Sequence, residues 1–364
     1  MNYPIRLYQP GDEGQIVQLL QLSFSGWPHF DLTCKPLDHW RWKYQFNPLK
    51  KSSIAVGVSN DKIIGVRHQF LLNIQIGNRI FICDFGADTA VHPDHQGKGI
   101  HNKMDELSIQ QRKNIGSNFT YLTTSNPILI KSFSKRRKRF PYSIRYFVRI
   151  HDVDLHLKMK PRKWKWIFRL GYHFFKKINS FKKILMPSKT SDCAIEIYQI
   201  DQFVNGIDDF WKEVSTSYDF IVQRTPDYLN WRYCDSRGGN YVVNIAAEKG
   251  KIMGYSVLRI NKYQKNYPVG YIVDLITIPG RLEIADALIK DAINFFDNKS
   301  INIIECLIPK NHPYSKVYKK YDFIDSRQSI IIFFIPLVLT DEIDALSKGY
   351  AQNIYFSFGD TDSI

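Results

Sequence analysis

The sequence holds only five cysteines in 364 residues: Cys34, Cys83, Cys193, Cys234 and Cys306. They are odd in number, widely spaced and without a Cys-x-x-Cys pair. That argues against a disulfide framework or a cysteine zinc site and fits a reducing cytoplasm. Long apolar runs are also missing. The longest, Ile330 to Leu339, is ten residues with Pro336 inside it. That is half of the ~20 a membrane span needs, and it reads as a buried strand. The N-terminal Met1-Asn2-Tyr3-Pro4-Ile5-Arg6 has no apolar core behind a basic head, so no secretory leader is expected. His-Glu-x-x-His and Gly-x-Ser-x-Gly are absent, which sets aside zincin and serine-hydrolase chemistry. His151-Asp152-Val153-Asp154-Leu155-His156 holds ligand-type residues, but strand alternation would send neighbours to opposite faces. These read as polar surface positions, and no metal is expected.

What is present is enough for folded cores, with 44% hydrophobic and 14% aromatic residues. The length exceeds one ordinary core, so two domains are expected. The net charge of +15 is concentrated. Residues 131–139 carry six Lys/Arg and residues 155–191 eleven more, neither stretch with an acid; without those seventeen the chain stands at −2. Such local excess suits a surface that meets an anionic partner.

The chain is organised around Val91-His92-Pro93-Asp94-His95-Gln96-Gly97-Lys98-Gly99-Ile100-His101, between a strand-like run (Phe81 to Val91) and a helix-like run (Ile100 to about Ile115). Gly97 and Gly99 allow a tight turn and close approach of a ligand to the backbone. The first N–H groups of the following helix lack intrahelical partners, and the helix dipole adds partial positive charge there. Lys98 adds a full one. The stretch is therefore a candidate anion cradle. It is not a Walker loop, because Gly99 follows Lys98, and not a Rossmann fingerprint, because Ile100-His101-Asn102 follows Gly97-Lys98-Gly99.

Upstream, Ile5-Arg6-Leu7-Tyr8 reads as a strand, Ile16, Leu19 and Leu20 as a helix face, and Leu37 to Tyr44 as an aromatic-basic helix. Strands Ile54 to Val58 and Ile63 to Leu72 follow, with Asp61-Lys62 between them. Phe119 to Thr123 is another strand, then Ser125-Asn126-Pro127 and a helix, and residues 142–153 read as closing strands. From about 192 the pattern repeats. Trp42-Lys43-Tyr44 is echoed by Trp231-Arg232-Tyr233 and Ile64-Gly65-Val66 by Met253-Gly254-Tyr255, both 189 residues on. Two landmarks at one offset indicate an internal duplication. The second copy has only Pro279-Gly280-Arg281 where the first has its Gly loop, so its cradle is expected to be lost.

Gln96 to His101 resembles the Gln/Arg-x-x-Gly-x-Gly/Ala pyrophosphate loop of the GCN5-related N-acetyltransferases (GNATs). His101 departs from it, at a position usually Gly or Ala. The resemblance implies an α/β (α+β) chain with two tandem acyl-CoA N-acyltransferase (GNAT) folds, each a mixed, mostly antiparallel sheet flanked by helices. The expected boundaries are 1–154 for a domain with the acyl-CoA loop, 155–191 for a basic aromatic linker, and 192–364 for a degenerate GNAT-like domain. It implies acetyl-CoA as co-substrate, with Gln96, Gly97, Lys98, Gly99, Ile100 and His101 on the diphosphate. Backbone groups of Ala90 and Val91 would meet the thioester and pantetheine, and Asn126 would bond the pantetheine arm. Asp84, Gly86 and Asp88 share a face by period-two alternation, and Asp88, nearer the expected bulge, is the candidate base. The family's Asn-to-Tyr spacing of seven leads from Asn126 to Phe133, so the Tyr is missing in the first copy; from Asn311 it reaches Tyr318. The thiolate acid is left unassigned.

The tandem arrangement and the tail Gly359 to Ile364 resemble acyltransferases of surface-polysaccharide assembly. The expected reaction is acetyl transfer from acetyl-CoA to an amine of an amino sugar, carried on a nucleotide or lipid. Two alternatives stand beside it: a Fem-like aminoacyl transferase using tRNA, and a non-catalytic acyl-CoA-binding module. The intact CoA loop weighs against tRNA, and nucleic acid is not the expected partner. Residues 155–191 interleave aromatics with Lys and Arg, as a helix pair packed between domains would, or an amphipathic segment on anionic lipid. The expected location is the cytoplasm, with peripheral contact at the inner membrane face.

Overall fold

The computed structural model describes residues 3–124, 127–135, 137–158, 195–204, 206–264 and 266–362. In the first half of the chain, strands β1 (Ile5–Leu7), β2 (Ser52–Ser59), β3 (Lys62–Ile76), β4 (Arg79–Val91), β5 (Phe119–Thr123), β6 (Lys138–Arg139) and β7 (Ile144–Ile150) alternate with helices. These are α1 (Glu13–Ser23), α2 (Pro36–Tyr44), α3 (Ile100–Asn114), α4 (Pro127–Ser134) and α5 (Val153–Lys158). The second half adds β8 (Glu196–Ile200), β9 (Phe220–Val222), β10 (Val242–Glu248), β11 (Lys251–Asn261), β12 (Val269–Thr277), β13 (Ile303–Pro309), β14 (Ile324–Ser329) and β15 (Ile332–Pro336).

Two compact units result, and each draws on both halves of the chain. The first comprises Met1–Tyr142, Ser215–Asn240 and Ile330–Tyr355; the second comprises Ser143–Val214, Tyr241–Ser329 and Phe356–Ile364. This division departs from the expected boundaries at 154 and 192, and the strand pairing gives the reason. Expected to close the first sheet, β7 instead pairs antiparallel with β13 and β14 in the second. Conversely, β15 pairs with β5 and β6 in the first. The segment 159–194, most of the expected linker, lies outside the described residues.

The first unit is an eight-stranded sheet ordered β1-β2-β3-β4-β5-β15-β6, with β9 on β3. Among its described pairs only β4–β5 is parallel, because α3 supplies the crossover that a parallel pair requires. The near-continuous apolar run of β3 is covered on both faces, as its burial from Ile63 to Leu72 shows. α1 buries Ile16, Val17, Leu19 and Leu20, and Arg6 clamps the Asp12 carboxylate at its start.

The echoed tryptophans both lie in this unit, and they pack on each other. Trp42 and Trp231 stack with ring centroids 4.8 Å apart and planes 16° apart. Each indole N–H donates to the other's backbone carbonyl, at 2.9 and 3.1 Å. Such reciprocity is what a local two-fold relation between duplicated segments produces. Trp42 sits at the end of α2, whereas Trp231 lies in the π-helical turn Asn230–Cys234 that follows a short helix.

The second unit is a seven-stranded sheet ordered β14-β7-β13-β12-β11-β10-β8, again with one parallel pair, β12–β13. Helix Leu282–Asp297 buries Ile284, Ala285, Leu288, Ile289, Ala292, Ile293 and Phe296 against it. His151 to His156, read from the sequence as extended, instead runs into helix α5, where His156 Nδ1 lies 2.6 Å from the Tyr267 hydroxyl.

Because the tryptophans share both a stack and two hydrogen bonds, their energies are expected to couple. Trp42→Ala and Trp231→Ala should each cost about 3–5 kcal/mol. In a denaturant double-mutant cycle the double variant should cost clearly less than the sum; strict additivity would contradict the shared contact.

Candidate active site

In the first unit, β4 pairs with β5 only from Cys83↔Phe119 to Phe85↔Tyr121, although β4 runs on to Val91. Among the described residues no ladder joins the two strands beyond Phe85. On its other side β4 pairs with β3 to the end, with Ala90 opposite Val66 and Val91 opposite Gly65. The register breaks between Ala87 and Ala90, and Asp88 takes the left-handed conformation at φ 44°. This is a β-bulge, which re-aims the side chains beyond it.

The strand leads into a short 3-10 turn, Pro93–His95, and then to Gly97 (φ 74°) and Gly99 (φ 76°), the residue preceding α3. Side chains tie the turn to itself. Gln96 donates to Val91 O at 3.2 Å and Lys98 to Asp94 O at 2.8 Å. The first helical bond is Lys103 N–H to Gly99 O. Among the described residues, no hydrogen bond uses the N–H groups of Gly97, Lys98, Gly99, Ile100, His101 or Asn102. A Cβ added at Gly97 or Gly99 would meet no atom within 4 Å. The corner is therefore an open nest of donors at the positive end of a 15-residue helix. The imidazole of His101 turns toward Arg67, 3.5 Å away. Burial and that neighbouring charge lower its pKa.

α3 carries two stripes. Ile100, Met104 and Leu107 pack with Tyr3, Ile5, Ala55, Ile64 and Val91 over one end of the sheet. His101, Asp105, Ser108 and Arg112 form a polar stripe at helical spacing. Asp105 pairs with Arg67 at 2.8 Å and Arg137 at 3.0 Å. Arg112 reaches Asp84 at 3.4 Å, and the same carboxylate accepts from Ser117 and Thr120 at 2.7 and 2.8 Å. Burial raises the pKa of Asp84, and Arg112 opposes the shift. This network missed by sequence reading has a visible signal: polar residues at i, i+4, i+7 and i+11 of α3, opposite Asp84.

The bulge corrects the expectation that Asp84, Gly86 and Asp88 share a face. Asp84 meets α3, whereas Asp88 meets α2 and the loop before it. Its carboxylate accepts from Trp27 Nε1 at 2.9 Å, Lys43 Nζ at 2.8 Å and the Tyr44 hydroxyl at 2.5 Å. Its backbone oxygen lies 2.8 Å from His68 Nδ1, and Trp40 donates to His68 Nε2 at 3.0 Å. Burial alone would raise the pKa of Asp88. The charge of Lys43 and the bonds from Lys43 and Tyr44 reverse this, holding it well below the usual carboxylate range. A carboxylate held this way is a poor proton acceptor. Beside it lies a cleft of about 330 Å³ lined by Leu7, Tyr8, Tyr44, Gln45, Lys50, Ser52, Ile54 and Gln111. Tyr8 donates to Glu13 there, and burial with that carboxylate pushes its hydroxyl up to about 12.

Asn126 lies outside the described residues. Phe133, at the position of the missing Tyr, packs edge-on against Phe333. In the second unit Tyr318 is fully buried, against Phe147 and Phe323. The loop there is occupied by its own ions: Arg281, before helix Leu282–Asp297, pairs with Glu248 at 2.6 Å and with Glu283 in the first turn. Two carboxylates at that end would repel a phosphate.

This geometry agrees with what the chain is similar to. Residues 4–134 match the family described as Acetyltransferase (GNAT) domain. That match lies within the first unit, and the whole chain has a tandem GNAT fold. No curated protein matches the sequence. A probable N-acyltransferase from Enterococcus faecalis V583 superposes with a TM-score of 0.62 at 9% identity, over 93% of this chain and 73% of its own. Saccharomyces cerevisiae N-myristoyltransferase, solved with bound myristoyl-CoA, gives 0.57 at 10%, over 92% and 79%. A tandem GNAT protein from the clavulanic acid biosynthesis pathway gives 0.56 at 12%, over 93% and 100%. At these identities the likeness is one of fold.

Two measurements probe the buried groups. Asp88→Asn would take away the carboxylate that accepts from Lys43, Tyr44 and Trp27, costing about 3–5 kcal/mol of stability; unchanged stability with abolished turnover would instead restore Asp88 as the base. His39, His68 and His312 are all lowered to about 4, chiefly by burial. Between pH 6.5 and 4 the unfolded chain binds protons at these rings that the native chain does not, so stability rises with pH across that window. Melting temperature should hold above about pH 6.5 and fall below it; a flat profile down to pH 5 would contradict the burial.

Proposed function

We propose that this protein transfers an acyl group, most simply acetyl, from acyl-CoA to the amine of an amino sugar. The observation that carries the reading is the set of six unengaged N–H groups from Gly97 to Asn102, beyond the part of β4 that pairs with β5. Donors at a helix start suit a diphosphate, and an extended arm can continue along an unpaired strand edge. CoA, when bound, supplies the activated thioester. On this reading Gln96 to His101 hold the diphosphate, and the edge of β4 near Ala90 and Val91 aligns the pantetheine arm and thioester. Alignment of two reactants alone can lower a barrier by ~7–11 kcal/mol. Asp88 keeps the bulge in place, through Lys43, Tyr44 and Trp27. The acceptor's ammonium gives its proton to another group, the neutral amine then attacks the thioester carbon, and the C–S bond breaks to release CoA as a thiolate that is protonated as it leaves.

The acceptor assignment draws on the cleft lined by Tyr8, Gln45, Lys50, Ser52 and Gln111, whose hydroxyl, amide and ammonium groups suit a hydroxyl-rich molecule. The basic stretches 131–139 and 155–191 would meet a phosphorylated or lipid carrier. The unengaged donors of the corner support this reading ahead of tRNA-dependent aminoacyl transfer.

Gly99→Glu places a carboxylate at the nest and a side chain at φ 76°. Acetyl-CoA affinity, measured by calorimetry, should fall roughly tenfold or more in this variant, and unchanged affinity would refute the corner. Mass spectrometry with acetyl-CoA and a panel of nucleotide-linked amino sugars, free amines and peptides tests the acceptor. Modification of peptides alone would overturn the sugar assignment, and binding without transfer to any amine would leave a binding module.

A further inference from the structure

In the second unit ion pairs of Arg281 with Glu248 and Glu283 fill the loop before its helix, and the other face of its sheet holds a carboxylate with no partner among the described residues. Glu305 on β13 lies beside Tyr271 on β12 in the parallel register, and opposite Val148 on β7. Tyr146 is two residues along β7. Phe358, from the chain's last short turn, packs edge-on to both tyrosines, 5.2 Å from Tyr271 and 5.9 Å from Tyr146 by ring centroids. Tyr267, just before β12, also lies within electrostatic reach of Glu305. Among the described residues, no hydrogen bond or ion pair involves the Glu305 carboxylate, and burial alone acts on it. The neighbouring cation, Arg259, is turned to Tyr241, donating to its hydroxyl at 3.3 Å and covering its ring at 5.2 Å. The other titratable groups there are the buried thiol of Cys306 and His156, whose Nδ1 lies 2.6 Å from the Tyr267 hydroxyl.

An ionised carboxylate among rings is costly unless a cation joins it. Glu305, Tyr146, Tyr267 and Tyr271 are all half-buried, so the cation can come from solution. One carboxylate among phenols is a poor cage for a hard metal ion, which wants several oxygen ligands. Aromatic faces beside a single negative charge are what an organic ammonium prefers. We propose that Tyr146, Tyr267, Tyr271 and Phe358 around Glu305 form a binding site for an organic ammonium ion in the second unit. The site uses no residue of the CoA corner and stands apart from the acyl-transfer reading. Burial raises the pKa of Glu305, so occupancy should weaken as pH falls through that value, when the carboxylate takes a proton.

The test uses the full chain and n-butylammonium, followed by NMR titration at about pH 8, with n-butanol and Mg²⁺ as the neutral and metallic controls. Butylammonium should bind with millimolar affinity and butanol should not. Glu305→Gln should weaken binding roughly tenfold or more, and Tyr271→Leu by about two- to fivefold. Gly99→Glu should bind butylammonium as the unmodified chain does, which separates this site from the corner. Equal binding by Glu305→Gln, equal binding of butanol, displacement by equimolar Mg²⁺, or no binding up to tens of millimolar would each overturn the proposal. Melting temperature supplies a second readout. Removing an unpaired carboxylate should leave it unchanged or raise it at neutral pH, whereas a clear fall would show that Glu305 is held by structural partners.

Discussion

The first turn of α3 rests on two places where the sheet has no side chain. A Cβ at Gly57 would come within 2.9 Å of the Ile100 side chain, and one at Gly65 within 3.0 Å of Ile100 and 3.2 Å of Met104. Because those positions are bare, the helix start can lie close against β2 and β3, right after β4 ends at Val91. Its unpartnered N–H groups are thereby fixed next to an open strand edge. The placement of the donors follows from this one close approach.

The two units show how one frame diverges through local electrostatics. Both contain a single parallel pair and a helix that crosses between its strands. In the first, Lys98 stands before the helix, and no acid occupies its first turn. In the second, Arg281, Glu248 and Glu283 close the equivalent place with their own ion pairs. Packing was kept by apolar residues such as Ile284 and Leu288, which an anion never touches. The two helix starts thus differ in charge while the apolar faces of the helices pack alike.

Local features were legible in the sequence where chemistry and backbone agree. The Gly-rich corner and α2 with its tryptophans follow from glycine spacing and apolar periodicity, and the β2–β3 turn, expected at Asp61-Lys62, falls one residue earlier at Asn60-Asp61. What failed was long-range or depended on a single dihedral. Strand alternation predicts that Asp84 and Asp88 share a face, but a positive φ at Asp88 inserts a bulge, and no residue type near it announces this. Likewise the run Ile144–Ile150 reads as a strand from its own residues, yet nothing local tells which sheet it joins. The network of Arg67, Asp84, Asp105 and Arg112 was readable only once α3 and the sheet were placed together.

The reciprocal placement of β7 and β15 bears on ancestry. Each stands at a corresponding point in its copy, and each completes the sheet built mainly by the other. A lone ancestral copy folding this way would have been left with a ragged edge, and two such molecules trading that strand would have healed both. Fusion of the two genes would then have made an obligatory partnership permanent within one polypeptide, leaving one member free to drift toward a new ligand while the other kept the old one.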